Sequence, residues 1–300
     1  MVQQPDYRDW SGVISLGLIW GGTFMVVAMA LDGYGPVTVA TARTTLGAVT
    51  LLILMAATGR RLPAPSPALW GSTIVIGVLS TALPFLLLSW GQQYVASAFA
   101  GLSMAAIPLM VLPLAHLFSD EPMNARRLFG VTLGFSGALI LIGPGLAQIG
   151  QGAEPLAQLA CIGAALCYSV ASIFTRRCPP IDPVTLAALT LVVGAVILLP
   201  IMLISEGIPR WEGTRPGLAI VGLGLVPTAF ATLLRVSIIR SAGSVFLTLV
   251  NYQVPIWSMI FGAWILSEAL PLRFYIALSM ILTGLAISQW FSLKKLLTRR

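Results

Sequence analysis

Residues 36–55 and 183–202, 147 positions apart, share 10 of 20 residues without a gap. The same offset pairs Thr81 with Thr228, Ser97 with Ser244, Phe99 with Phe246, Pro108 with Pro255, Glu121 with Glu268, Arg126 with Arg273 and Gly137 with Gly284. Matches of Leu and Ala follow from apolar composition alone, but prolines, glycines and a glutamate in one frame do not. A duplication that fills the chain means that the fold must be assembled from two similar halves.

Those halves are written for lipid. Only 9% of residues are charged and 57% are hydrophobic, against roughly 25% charged in a soluble domain. Ten apolar stretches of about the roughly 20 residues that cross a bilayer fall near 10–30, 36–57, 68–90, 97–118, 125–145, 155–175, 183–204, 216–237, 243–266 and 272–292. Five belong to each copy, which gives an all-α integral membrane protein with repeats over 10–145 and 155–292. Helices rather than strands are expected, because lipid offers no partner for an exposed backbone group and the runs lack the alternation of a barrel. Gly17, Gly21, Gly130, Gly134 and Gly137 are expected at close helix contacts. The first stretch is expected to be retained, since acidic Asp6 and Asp9 precede it and it is long enough to span.

The net charge of +7 invites a nucleic-acid reading, which the positions of the charges exclude. With the N-terminus cytoplasmic, the cytoplasmic side holds Arg8, Arg60, Arg61, Arg126, Arg127, Arg176, Arg177, Arg235, Arg240, Lys294, Lys295, Arg299 and Arg300. The other side holds Arg210, Arg215 and Arg273, and Arg43 lies inside a span. That asymmetry follows the positive-inside rule and puts both termini in the cytoplasm. Five spans is an odd number, so the second copy enters the membrane inverted relative to the first. Inverted repeats can exchange conformations, which points to alternating access.

Enzyme chemistry is not indicated. HExxH, GxSxG, CxxC and Walker sequences are absent, the only histidine is His116, and no metal or cofactor is implied. Cys161, Cys167 and Cys178 are odd in number and read as small core residues, not as a disulfide framework. All ten carboxylates lie in loops or at helix ends. A carrier that exchanges protons for cations needs a buried carboxylate, so their absence from mid-membrane favours a facilitator. Glu121 and Glu268 read as helix N-terminal charges, with Arg126 and Arg273 as partners. Arg43 sits seven residues past Pro36, about 10 Å into its helix, and its counterpart is the neutral Thr190. It is expected to snorkel outward or pair with Asp32, with the anchoring of a substrate carboxylate as the other reading. The pocket candidates are Trp20, Tyr168, Thr81, Thr228, Asn251 and Tyr252, mid-membrane polar and aromatic residues that suit an amphipathic solute better than a naked ion.

Trp20-Gly21, the stretch Pro108 to Glu121, and Glu121 to Gly137 with its repeat Glu268 to Gly284 resemble the EamA domain, present twice. The resemblance covers nearly the whole chain and is closest to YddG-type exporters of aromatic amino acids in the drug/metabolite transporter superfamily. It implies ten helices around a central cavity in a bacterial inner membrane. It also implies Trp20, Thr81, Phe99, Tyr168, Thr228, Asn251 and Tyr252 as cavity residues. Tyr168-Ser169 stands where the second copy would carry tryptophan-glycine. The function expected is export of aromatic or large neutral amino acids and related amphipathic compounds. The alternatives are a carrier of cationic drugs or nucleotide sugars, a passive channel, or a membrane enzyme. The partners expected are a small-molecule substrate and the lipid bilayer, with no nucleic acid; oligomeric state stays open, and a monomer would suffice.

Overall fold

The structure, a computed structural model, describes residues 6–64, 66–118, 123–143, 152–291 and 294. Among these, ten main helices follow one another: α1 Tyr7–Leu31, α2 Pro36–Ala57, α3 Pro67–Gly91, α4 Ser97–Phe118 and α5 Ala125–Ile142. Then come α6 Glu154–Arg177, α7 Pro183–Ser205, α8 Thr214–Ser241, α9 Val250–Ile265 and α10 Leu272–Ser288. The first eight are long and apolar enough to cross a bilayer; α9 and α10 have 16 and 17 residues. The ninth apolar stretch is shortened because its start, Ser244–Leu247, forms a separate turn ahead of α9. The chain is an all-α, multi-pass membrane protein, and its outer surface agrees: α7 alone exposes Val196, Leu199, Ile201, Leu203 and Ile204, an apolar face that suits lipid.

Helix starts follow local chemistry. Asp6 accepts from the amides of Arg8 and Asp9 while Asp9 returns a bond to Asp6 N, a capping box that opens α1. Asp182 accepts from Val184 N and Thr185 N ahead of Pro183, so an acceptor and a pre-set φ together start α7.

The helices pack as pairs that repeat across the two halves. A Cβ on Gly77 of α3 would lie 2.8 Å from Val193 and 3.0 Å from the Thr190 carbonyl of α7. Its counterpart Gly224 of α8 faces Leu46 and the Arg43 carbonyl of α2 in the same way. Each of these residues is 147 positions from its equivalent, so the matched glycines mark equivalent close approaches. The expected glycine surfaces are found too: Gly17 against Gln253, Gly21 against Trp257, Gly130 against Gly284, Gly134 against Leu109 and Gly137 against Met280.

The contacts of Gly17 with Gln253 and Gly21 with Trp257 set α9 parallel to α1. The loops after both helices therefore share one end of the bundle, here called distal; the end bearing the first turn of α1 is proximal. At the distal end Glu206 accepts from Val37 N (3.0 Å) and Thr38 N (2.7 Å) at the start of α2. Glu268 there accepts from Ser97 N (2.7 Å) and Ala98 N (3.1 Å) at the start of α4. Arg215 approaches Asp32 at 3.9 Å. At the proximal end Ser241 donates to Asp9, and Asp182 pairs with Arg60 and with Arg240, both at 3.2 Å. Burial raises the carboxyl pKa of Asp182, but the amides of Thr185 and Val184 and the charge of Arg60 outweigh it and hold the group below its ordinary value.

Two sequence expectations are corrected here. Glu268 does cap a helix, but it caps α4 rather than the helix that follows it, and it makes no ion pair with Arg273. The orphan amides nearest its carboxylate belong to a segment 171 residues away. Glu121 lies outside the described residues. Arg43 neither snorkels outward nor meets Asp32: it is 9% exposed, and Asp32 faces Arg215.

Candidate functional site

Two short π-helical segments, Val78–Ala82 in α3 and Gly224–Phe230 in α8, sit at equivalent places in the halves. Prolines account for both. Pro84 has no amide for the Ser80 carbonyl and Pro227 none for that of Leu223, and each ring crowds the carbonyl four residues back, so the turn widens. Thr81 and Thr228, one from each segment, occupy the junctions. Thr81 Oγ1 lies 2.6 Å from Gly77 O and 3.1 Å from Thr190 O. Thr228 Oγ1 donates to Leu223 O at 2.8 Å, using a carbonyl that the wide turn frees.

Arg43 enters at the α8 junction. Its Nε donates to Thr228 Oγ1 at 3.0 Å, and its guanidinium carbon lies 3.8 Å from the ring centroid of Phe85, a cation–π contact. Trp20 Nε1 donates to the Pro227 carbonyl at 3.3 Å, which pins the indole to the same segment. Tyr168 on α6 packs against two of the core clusters, one of them the cluster that contains Phe85. The centre thus joins Arg43, Phe85, Thr228, Trp20 and Tyr168 from five helices.

Thr81 holds the equivalent junction on the other half. Phe99 is almost wholly buried and packs on Phe274 of α10 with centroids 6.1 Å apart. Asn251 and Tyr252 are half-buried near the start of α9, where the buried Tyr252 hydroxyl has no hydrogen-bond partner among the described residues. No hydrogen bond or ring contact among the described residues joins Phe99, Asn251 or Tyr252 to the Arg43 group. Among those residues there is also no group of three His, Cys, Asp or Glu able to hold a metal.

One residue went unremarked in the sequence, and another was given no part in the site. Phe85 is one of twelve phenylalanines, and its signal was its place one helical turn after Thr81. Arg235 was counted among cytoplasmic-end charges. It stands seven residues after Thr228, two turns toward the proximal end on the same face of α8. Its side chain is exposed.

A polar and aromatic centre inside a lipid-facing helical bundle, with proline-opened turns in both halves, is the build of a transporter of small molecules. The model of the EamA-like transporter family matches residues 11–143 and again 155–290. The chain belongs to that family, within the drug/metabolite transporter superfamily of the inner or plasma membrane, and is a transporter rather than an enzyme. It is 25% identical to the uncharacterized transporter YoaV of Bacillus subtilis, over 95% of this chain and 98% of that protein. It is 22% identical to the uncharacterized inner membrane transporter YedA of Escherichia coli K12, over 93% of this chain and 89% of YedA. A probable terminal-alkyne amino-acid exporter of Streptantibioticus cattleyicolor is 26% identical over 79% of this chain and 80% of its own length. A solved structure titled "Crystal structure of protein" shares the fold at a TM-score of 0.67 and 18% identity, covering 95% of this chain and 97% of that one.

Proposed function

We propose that the chain exports aromatic or large neutral amino acids, with related amphipathic compounds, by alternating access. In this reading residues 10–145 and 155–292 are inverted five-helix repeats, both termini are cytoplasmic, and the proximal end faces the cytoplasm. The observation that carries it is the centre itself: the ring of Phe85 lies against a guanidinium with hydrogen-bonding capacity to spare, the indole of Trp20 is held to the α8 segment that this guanidinium meets, and Tyr168 packs on the cluster that contains Phe85. Aromatic walls with a few convergent polar groups suit an amino acid with a flat side chain. The amino-acid exporter among the relatives and the resemblance to YddG-type exporters support the same class. Asp9, Asp32, Asp182, Glu206 and Glu268 are committed at the two ends, which supports a facilitator. Thr81, Phe99, Asn251 and Tyr252 are kept as residues that meet the solute as the cavity changes shape.

The test is counterflow in proteoliposomes, using labelled phenylalanine, labelled threonine and a cationic dye, each with and without a pH gradient. Saturable, trans-stimulated phenylalanine flux that is indifferent to the gradient is expected. Absence of saturable amino-acid flux would overturn the reading, flux that requires a proton gradient would overturn the facilitator, and non-saturating conductance would point to a channel.

A further inference from the structure

We propose that the centre selects by charge: Arg43 receives a carboxylate, Arg235 draws anions toward it, and no group is supplied for an ammonium. Aromatic or large apolar organic carboxylates, including ones without an amino group, are then ligands in preference to the corresponding amines. This rests on the carrier reading above and narrows it.

Arginine has five N–H donors. At Arg43 only Nε has an acceptor, Thr228 Oγ1, and the Nη groups have none among the described residues. A guanidinium that is 9% exposed inside a membrane span, with a hydroxyl and a phenyl ring as its close partners and no carboxylate against it among the described residues, is an uncompensated charge. Removing an ion from water costs several kcal/mol, so such groups persist where a counter-charge arrives.

The duplication supplies the control for a purely structural role. At the equivalent junction of the other half, Thr190 stands where Arg43 stands, its carbonyl lies against Thr81, and its hydroxyl returns to Ala187 O at 2.9 Å. The same crossing of helices is built there without charge. Architecture does not require the guanidinium.

Arg235 is the second break of the same sign, since its equivalent in the first half is Leu88, which is buried in the core. Arg235 makes no ion pair or hydrogen bond among the described residues. It stands about 10 Å from Thr228 along the α8 axis. Beyond it, at the proximal end, a cleft of about 430 Å³ opens between Arg60, Val184, Val236 and Arg240. Arg240, Arg235 and Arg43 thus follow one another from the proximal face inward. Arg60 and Arg240 at the mouth are paired with Asp182, so the unpaired charge along this line is that of Arg235 and Arg43, and a path with net charge of one sign raises the local concentration of the opposite ion. An amine meets two unpaired cations on that path and no described carboxylate at its end, whereas a carboxylate can make paired, charge-assisted bonds to the Nη groups.

The ligand series that tests this is 3-phenylpropanoate (carboxylate only), L-phenylalanine (both charges) and phenethylamine (ammonium only). It is read as thermal stabilisation of the purified full-length protein and as competition against labelled phenylalanine counterflow. Phenylpropanoate should bind at least as tightly as phenylalanine, with phenethylamine at least tenfold weaker. Arg43→Gln should weaken phenylpropanoate at least tenfold, Arg43→Lys less, and Arg235→Gln a few-fold with a shallower salt dependence. Equal binding of the amine and the acid to the wild-type protein overturns the proposal without recourse to any variant, as does a folded Arg43→Gln protein with unchanged acid affinity. If phenylalanine is not transported but acid binding depends on Arg43, the amino-acid reading falls and the anion site stands. Phenylalanine flux unchanged by Arg43→Gln has the opposite meaning.

Discussion

Removing the Glu268 carboxylate should open the distal end. Its two oxygens accept from Ser97 N at 2.7 Å and Ala98 N at 3.1 Å, joining the α9–α10 loop to the start of α4, so the bonds must break if the halves part there. Bonds to a charged group contribute about 1.5–3 kcal/mol each when buried. Glu268 is half-buried and water can replace it at the freed amides, so about 1 kcal/mol each, or about 2 kcal/mol together, is the fitting estimate. That is about a thirtyfold shift: a carrier with about 3% of molecules open distally would become about half open in Glu268→Ala. Glu268→Gln keeps one acceptor but loses the charge that faces the α4 dipole, and should fall between. Spin labels at Gln93→Cys and Ala269→Cys, both exposed in the distal loops, read the distance in a background without the native thiols. A longer-distance population should grow in the order wild type, Gln, Ala. Identical distance distributions in all three would refute the idea that this carboxylate holds the distal end shut.

Asp182 gives a pH signature at the other end. Its folded pKa is depressed, so its contribution to stability is present above the ordinary value of 3.8 and is lost as pH falls through the lower folded value. Melting temperature should fall on acidification through that window in the wild type and fall less in Asp182→Asn, which keeps the helix cap but not the Arg60 and Arg240 bridges; equal slopes would remove Asp182 from the account. At the α5–α10 contact, a side chain at position 284 meets the Gly130 carbonyl and the Gly134 amide, backbone that cannot step aside. Gly284→Val should cost about 1–3 kcal/mol or more and lower the melting temperature by several degrees, and an unchanged melting curve would mean that these helices do not pack as described.

The frame was legible in the sequence because a shared offset survives where packing constrains it. Gly77 and Gly224, Thr81 and Thr228, and Gly137 and Gly284 are matched in sequence and make equivalent contacts in space. The π-helical turns were harder to read, since their prolines are not matched: Pro84 and Pro227 reach the same distortion from different positions. The role of Glu268 was illegible for another reason. A carboxylate seeks the nearest orphan amides in space, and those of Ser97 and Ala98 lie 171 and 170 residues away along the chain. The sequence offered only the helix that follows.

Arg235 was given no part in the site, and Arg43 was read first as a snorkelling group, for a shared reason with a functional consequence. A sequence reading assigns a basic residue near a helix end to the membrane surface, where hydration is available at little cost. Arg43 instead turns into the bundle, where its charge must be compensated by something that the described residues do not supply, and Arg235 stands exposed two turns from Thr228 on the same helix without an ion pair among them. Their equivalents Thr190 and Leu88 are neutral. Inversion of two identical halves would place matched charges along both routes to the centre. In the inverted-repeat reading proposed above, the arginines belong to one side of each pair, so the two routes to the centre differ electrostatically. A symmetric frame can interconvert between its two faces; an asymmetric charge lets a solute be captured more readily from one of them.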